Sequence, residues 1–235
     1  MQSDDFGRKI RQTWKFLYEE LGIARALSTL VSLKVSEDFN KVALAPESSY
    51  RDIYLAAVRL SHYNIILEDY SVFQFSWTNN ESWRLAYLPN PWIAGVEQAA
   101  KLISEWELLE SLGAIDDEEV SGLISELPYL GSVPAIRFEY AVRQYRELAH
   151  PAAHLHIGRH TENRWPVARV LNPLTFSMAI AKMYYSERWM ALSNFYGRGS
   201  VQNCIDLRLI AELRNSRLVH DFSRNERRSL HFGSQ

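Results

Sequence analysis

Ser71-Val72-Phe73-Gln74-Phe75-Ser76-Trp77 and Trp83-Arg84-Leu85-Ala86-Tyr87-Leu88 are the two runs whose reading decides the fold. In each, every second residue is large and apolar, which is the period of a strand with one covered face. Thr78-Asn79-Asn80-Glu81-Ser82 supplies turn chemistry between them, so the pair reads as an antiparallel hairpin. Pro89-Asn90-Pro91 ends it, because proline cannot donate to a ladder. The aromatics Phe73, Phe75, Trp77, Trp83 and Tyr87 are of a kind that stacks on bases in RNA-binding sheets. Packing beneath other elements is the simpler reading of such a face.

Further along, residues 135–141 alternate again, with Ile136, Phe138 and Tyr140 on one side and Arg137 and Glu139 on the other. His154-Leu155-His156-Ile157 reads the same way: Leu155 and Ile157 face the core and both histidines face away. If these two short strands are neighbours, an arginine, a glutamate and two histidines share one polar face. Residues 165–171, entered from Arg164, suggest another strand.

The flanks are helical. Ile10, Trp14, Leu17 and Leu21 recur at helical spacing after Ser3-Asp4-Asp5, with Gly22 bending the helix before it continues over 23–33. Ser48-Ser49 starts a second helix with Ile53, Ala57 and Leu60 on its buried stripe. Residues 96–112 and 116–127 are also expected to be helical. Asn172-Pro173 is a strong helix start, a capping side chain before a proline at the first helical position. The helix over 174–195 carries Phe176, Ile180, Met183 and Tyr184 as its stripe, a last helix covers 203–221, and the polar tail 223–228 frays. The expected fold is therefore α+β: a single domain, 1–235, with a helical part (1–66), a sheet-rich middle (67–171) and a helical end (172–235). Its small, mainly antiparallel sheet has four to six strands.

At 235 residues and 47% apolar content the chain can bury a sizeable core. One cysteine, Cys204, cannot form an internal disulfide, and nothing resembles a secretory signal, so a cytoplasmic location is expected. No window approaches the roughly 20 apolar residues of a transmembrane segment. Net charge is −2, yet residues 1–139 carry −9 and residues 140–235 carry +7. All but one of the basic residues in the second part are arginine, the side chain suited to forked contacts with phosphate. Docking of the acidic part on the basic part is one explanation, and a nucleic-acid partner is the other.

Four of the seven histidines lie in His150-Pro151-Ala152-Ala153-His154-Leu155-His156-Ile157-Gly158-Arg159-His160. Three readings of this stretch stay open. His154 and His156 can act as acid and base on a phosphodiester, with Glu139 orienting a histidine and Arg137 or Arg164 neutralising charge on phosphorus, which needs no cofactor. Alternatively His154, His156 and Glu139, joined by His150 or His160, hold a divalent metal such as zinc, iron or manganese. Nearby arginines oppose a cation, which ranks metal below metal-free chemistry. In the third reading the histidines are structural, bonded to backbone or carboxylate. Glycine-rich phosphate loops, the G-x-S-x-G elbow and Cys-x-x-Cys pairs are missing.

The segments Arg84-Leu85-Ala86-Tyr87-Leu88-Pro89-Asn90-Pro91, Arg137-Phe138-Glu139-Tyr140, the histidine stretch to Gly158, and Asn172-Pro173-Leu174-Thr175-Phe176 resemble a bacterial family catalogued only as a domain of unknown function. The resemblance covers most of the chain. It implies a bacterial cytoplasmic protein carried with mobile or phage-defence genes, and it assigns neither a reaction nor catalytic residues.

The leading expectation is a nucleic-acid-directed protein, in its enzymatic form a metal-independent ribonuclease or phosphodiesterase of a defence or toxin system. His154, His156, Arg137 and Glu139 are its candidate catalytic residues, and Arg164, His150, His160 and Arg159 its candidate substrate contacts. The alternative is a non-enzymatic module that binds a protein or nucleic-acid partner. Either form is compatible with a homo-oligomer.

Overall fold

The computed structural model describes residues 1–92, 105–116, 119–120, 122–123, 133–158, 164–197, 205–220 and 222–230. Arg159, His160, Cys204 and much of the helices expected over 96–112 and 116–127 lie outside the described residues, although 105–111 is helical. In chain order come α1 (Ser3–Lys15), a π-helical turn (Phe16–Glu20), β1 (Ala24–Leu27), α2 (Glu37–Ala43), α3 (Tyr50–Arg59), β2 (Ile65–Leu67), β3 (Val72–Asn79) and β4 (Ser82–Leu88). β5 (Ile136–Ala141), β6 (Ala153–Ile157), β7 (Trp165–Pro166), α4 (Pro173–Tyr184), α5 (Ser186–Gly197), α6 (Ile205–Asn215) and α7 (Arg224–Leu230) follow. The protein is α+β.

Among the described residues seven strands join one sheet in the order β1-β2-β3-β4-β5-β6-β7, and each neighbouring pair is antiparallel. This exceeds the expected four to six because the chain after Gly22 is a strand, not a continued helix. The N–H groups of Leu21 and Ile23 return to the carbonyls of Phe16 and Leu17, and Gly22 adopts φ +63° between them. A left-handed residue at a helix end redirects the chain. The next residues then pair with β2, starting at Ala24 opposite Leu67.

The expected hairpin forms, with Phe73 facing Tyr87, Phe75 facing Leu85 and Trp77 facing Trp83. Phe73, Phe75, Trp83, Leu85, Tyr87 and Phe138 are buried on one side of the sheet with Phe6 and Ile10 of α1 and Leu174, Phe176 and Ile180 of α4. The aromatic face is therefore core, each fully buried ring or branched chain stabilising by about 1.5–3 kcal/mol. On the reverse side, Ile66, Val72 and Leu88 stand in register across β2, β3 and β4. They pack with Phe39 of α2 and Tyr54 and Ala57 of α3. One end of the reverse face is thus closed by helices. The rows toward β6 are polar.

Several helical expectations need correction. α2 was not anticipated; the Ser36 side chain caps it by accepting from the Phe39 N–H. α3 does start at the Ser49 capping box, but Tyr54 and Ala57 are its buried positions while Leu60 is exposed. The helix expected over 174–195 breaks at Tyr185, whose hydroxyl donates to Asp69 Oδ2 at 2.9 Å, and Met183 is exposed. The strand expected over 165–171 is only Trp165–Pro166. α6 stops at Asn215, short of residue 221. The tail does not fray: Ser223 and Glu226 cap each other reciprocally at the start of α7, and Glu226 is buried.

Candidate functional site

Register builds the site. β5 faces β6 with Glu139 opposite His154 and Arg137 opposite His156, while β4 places Arg84 opposite Glu139 and Ala86 opposite Arg137. Because the side-chain period of a strand is two, these pairs form continuous rows on the reverse face. One row runs Ser76, Arg84, Glu139, His154, Pro166, and the next runs Gln74, Ala86, Arg137, His156. The opposite face of β6 is less covered than its sequence suggests. Ile157 is exposed and Leu155 half-buried, whereas His154 and His156 have relative exposures of 0% and 3%.

Glu139 stands at the centre. Its Oε1 lies 2.9 Å from the Nε of both Arg84 and Arg137, and its Oε2 lies 3.7 Å and 3.8 Å from the Nε2 atoms of His154 and His156. Burial alone would raise this carboxyl. Contact with His156 and the charges of Arg84 and Arg137 overcome it and hold the group well below the ordinary carboxylate range. Arg137 is pulled the other way: burial lowers it, Glu139 raises it, and Arg84 and Arg164 lower it again.

The imidazoles are fixed by hydrogen bonds. His154 Nδ1 is 2.7 Å from the Pro151 carbonyl oxygen, which only accepts, so Nδ1 carries the proton and Nε2 presents a lone pair. His156 Nε2 approaches that lone pair at 3.0 Å and donates to it. This leaves His156 Nδ1 bare, and it is buried without a hydrogen-bond partner among the described residues. Burial pushes His154 down to about 4, with the Pro151 carbonyl opposing and the neighbouring His156 adding to the shift. At neutral pH it is uncharged.

Of the other expected contacts, His150 is half-buried with its ring edge-on to that of His154 at 4.9 Å. A short turn holds it, its N–H donating to the Arg146 carbonyl at 2.7 Å. Burial and the charge of Arg164 both lower its pKa, which puts Arg164 within electrostatic reach of the cluster. Arg159 and His160 lie outside the described residues. The structure therefore brings Arg137, Glu139, His154 and His156 together, with His150 and Arg164 beside them. Sequence reasoning missed two members, Arg84 and the Pro151 carbonyl. The alternation of β4 places Arg84 on the polar face, but only the pairing of β4 with β5 shows which carboxylate it meets.

Chemically, the arrangement does not suit two histidines working as separate acid and base on one phosphodiester. Their Nε2 atoms are 3.0 Å apart and bonded to each other, which leaves no space for a phosphorus between them. It offers instead a convergent N, N, O donor set with an ionised carboxylate, edged by guanidinium groups.

Fold and site together define an α+β protein with an open antiparallel sheet and an imidazole–carboxylate cluster on its polar face. The chain belongs to the family described as "uncharacterized conserved protein (DUF2290)", which matches residues 21–234. No curated protein and no solved structure matches it. Among the described residues, no helix is long and apolar enough to cross a membrane.

Proposed function

We propose that this protein is directed at nucleic acid and meets the phosphate backbone over the polar rows of β4, β5 and β6. The observation that carries the reading is the convergence of Arg84 and Arg137 on Glu139, with Arg164 close by. Each guanidinium uses its Nε toward the carboxylate and has two further nitrogens for a phosphate oxygen. The excess of arginine over residues 140–235 supports the same reading. A reducing, cytoplasmic setting in a bacterial defence or toxin system suits a chain with one cysteine.

A second, enzymatic reading has its own support. The linked imidazoles keep one ring nitrogen bare, His156 Nδ1, a lone pair that can take a proton from an attacking water. In this form the protein is a phosphodiesterase, with Arg84 and Arg137 stabilising the charge that grows on phosphorus.

The test is a fluorescence-anisotropy titration with labelled single-stranded RNA and DNA over a range of salt. The Arg84→Gln, Arg137→Gln double variant is run beside the parent, with circular dichroism as the folding control. The folded variant is expected to bind at least about tenfold more weakly, and its log–log salt slope to fall by between about 1 and 2, since each lost phosphate contact removes about 0.7–0.9. Equal affinity and equal slope overturn the proposal. Cleavage of the same labelled strands, followed on a gel, separates the enzymatic form from binding alone.

A further inference from the structure

The three donor atoms at the centre of the site form a small triangle: His154 Nε2 to His156 Nε2 is 3.0 Å, and Glu139 Oε2 lies 3.7 Å and 3.8 Å from them. A point equidistant from the corners of that triangle lies about 2.05 Å from each, within the usual range of zinc–nitrogen and zinc–carboxylate bonds. By distance, the three donor atoms surround a position where an ion would sit within bonding range of all of them.

We propose that Glu139, His154 and His156 form a binding site for one divalent transition-metal ion of the zinc type. Two imidazoles and a carboxylate suit borderline ions such as zinc, iron or manganese, whereas calcium and magnesium prefer an all-oxygen shell. The outer contacts are those that metal-binding histidines and carboxylates use. The Pro151 carbonyl takes the Nδ1 proton of His154 and turns its Nε2 lone pair inward. Arg84 and Arg137 approach Glu139 at Oε1, while Oε2 lies toward the imidazoles.

Both the i, i+2 spacing of the histidines on β6 and the register of β5 are required, because together they bring three side chains of one sheet face to one point. The metal-free arrangement has to shift one proton before an ion can take both imidazoles. A histidine–histidine hydrogen bond occupies the very lone pair that would bind metal. With an ion between the rings, both Nε2 lone pairs would face it and the proton of His156 would move to Nδ1, which has no acceptor among the described residues. The guanidinium charges oppose the ion. Arg84 is more than half exposed, so water screens much of its share.

This inference goes beyond the nucleic-acid proposal and stands or falls separately, since its measurement uses the metal alone. Tag-free protein is stripped with chelator, equilibrated with Zn²⁺, desalted and assayed for bound zinc. A parallel sample with Co²⁺ is read by visible absorption. The expected result is one zinc per chain and a cobalt spectrum of a nitrogen- and oxygen-ligated site. Glu139→Gln and His156→Gln should weaken binding by at least about a hundredfold, because losing a ligand costs more than the roughly 10–100-fold of an outer partner. His62→Gln, which alters a histidine between α3 and β2, should leave it unchanged. Should the ligand variants fail to fold, zinc-edge X-ray absorption of the parent decides, with two imidazoles and at least one oxygen expected in the shell. No retained zinc, zinc held equally by the folded ligand variants, or a shell with fewer than two imidazoles overturns the proposal.

Discussion

Glu139 gives its two oxygens to different partners, Oε1 to two guanidinium groups and Oε2 to two imidazoles, and the energetic weight of those partners is unequal. Arg137 is largely covered, so removing the carboxylate leaves a poorly hydrated cation without its counter-charge. Arg84 is mostly in water, where an ion pair contributes little. Glu139→Gln is therefore expected to cost about 2 kcal/mol of stability by urea unfolding, and Arg84→Gln less than about 1 kcal/mol. Similar losses for both would show that the carboxylate's partners are equivalent and that burial does not set their weight. Much at this scale was legible in the sequence. Alternation in residues 136–140 and 154–157 puts Arg137, Glu139, His154 and His156 on one face whatever their neighbours are. Degree of burial was not legible, since strand periodicity gives a side chain's direction and says nothing of what covers it. Hence Ile157, apolar, is exposed while His154 is covered.

Elements are where local signals and tertiary pairing disagree. Ser49 and Asn172 announce their helices by capping chemistry that the structure reproduces, each side chain accepting the N–H three residues on. Asn172→Ala should lower stability by about 1 kcal/mol in the same assay, the ordinary cost of a lost cap. An unchanged unfolding midpoint would mean that α4 is held entirely by its buried face. β1 shows the opposite case. Residues 23–27 have no strand signature of their own and pair because β2 presents an open edge beside them. Tyr185 is similar: helical spacing runs straight through it, and the break between α4 and α5 coincides with hydroxyl contacts to Asp69 and Tyr87, both distant in sequence. At Gly158 the chain leaves β6 with φ +80° while its N–H donates to the Ala135 carbonyl at 2.7 Å, so the turn out of the histidine strand needs a residue without a side chain.

For the whole molecule, the covered aromatic face and the polar rows are two sides of one sheet. α1 and α4 cover the first, while α2 and α3 close one end of the second. An α+β architecture with an antiparallel sheet follows from the hairpin and the helical flanks; the seven-strand order does not, because β1 with β2 and β4 with β5 pair across long stretches of chain. The separation of charge along the chain shows at the contact of Arg208 with Glu20, whereas Lys9 on Glu212 runs against it. These join N-terminal and C-terminal elements without spending the arginines of the sheet.

The claim at the centre is that three side chains from two neighbouring strands point their donor atoms at one spot. A two-bond proton–nitrogen spectrum of the histidine rings, recorded in chelator and again with one equivalent of Zn²⁺, tests it most directly. In chelator His154 should be protonated on Nδ1, toward Pro151; with zinc, the Nε2 resonances of His154 and His156 should shift together while His62 stays in place. A proton on His154 Nε2 in chelator, or Nε2 resonances that zinc does not move, would contradict it.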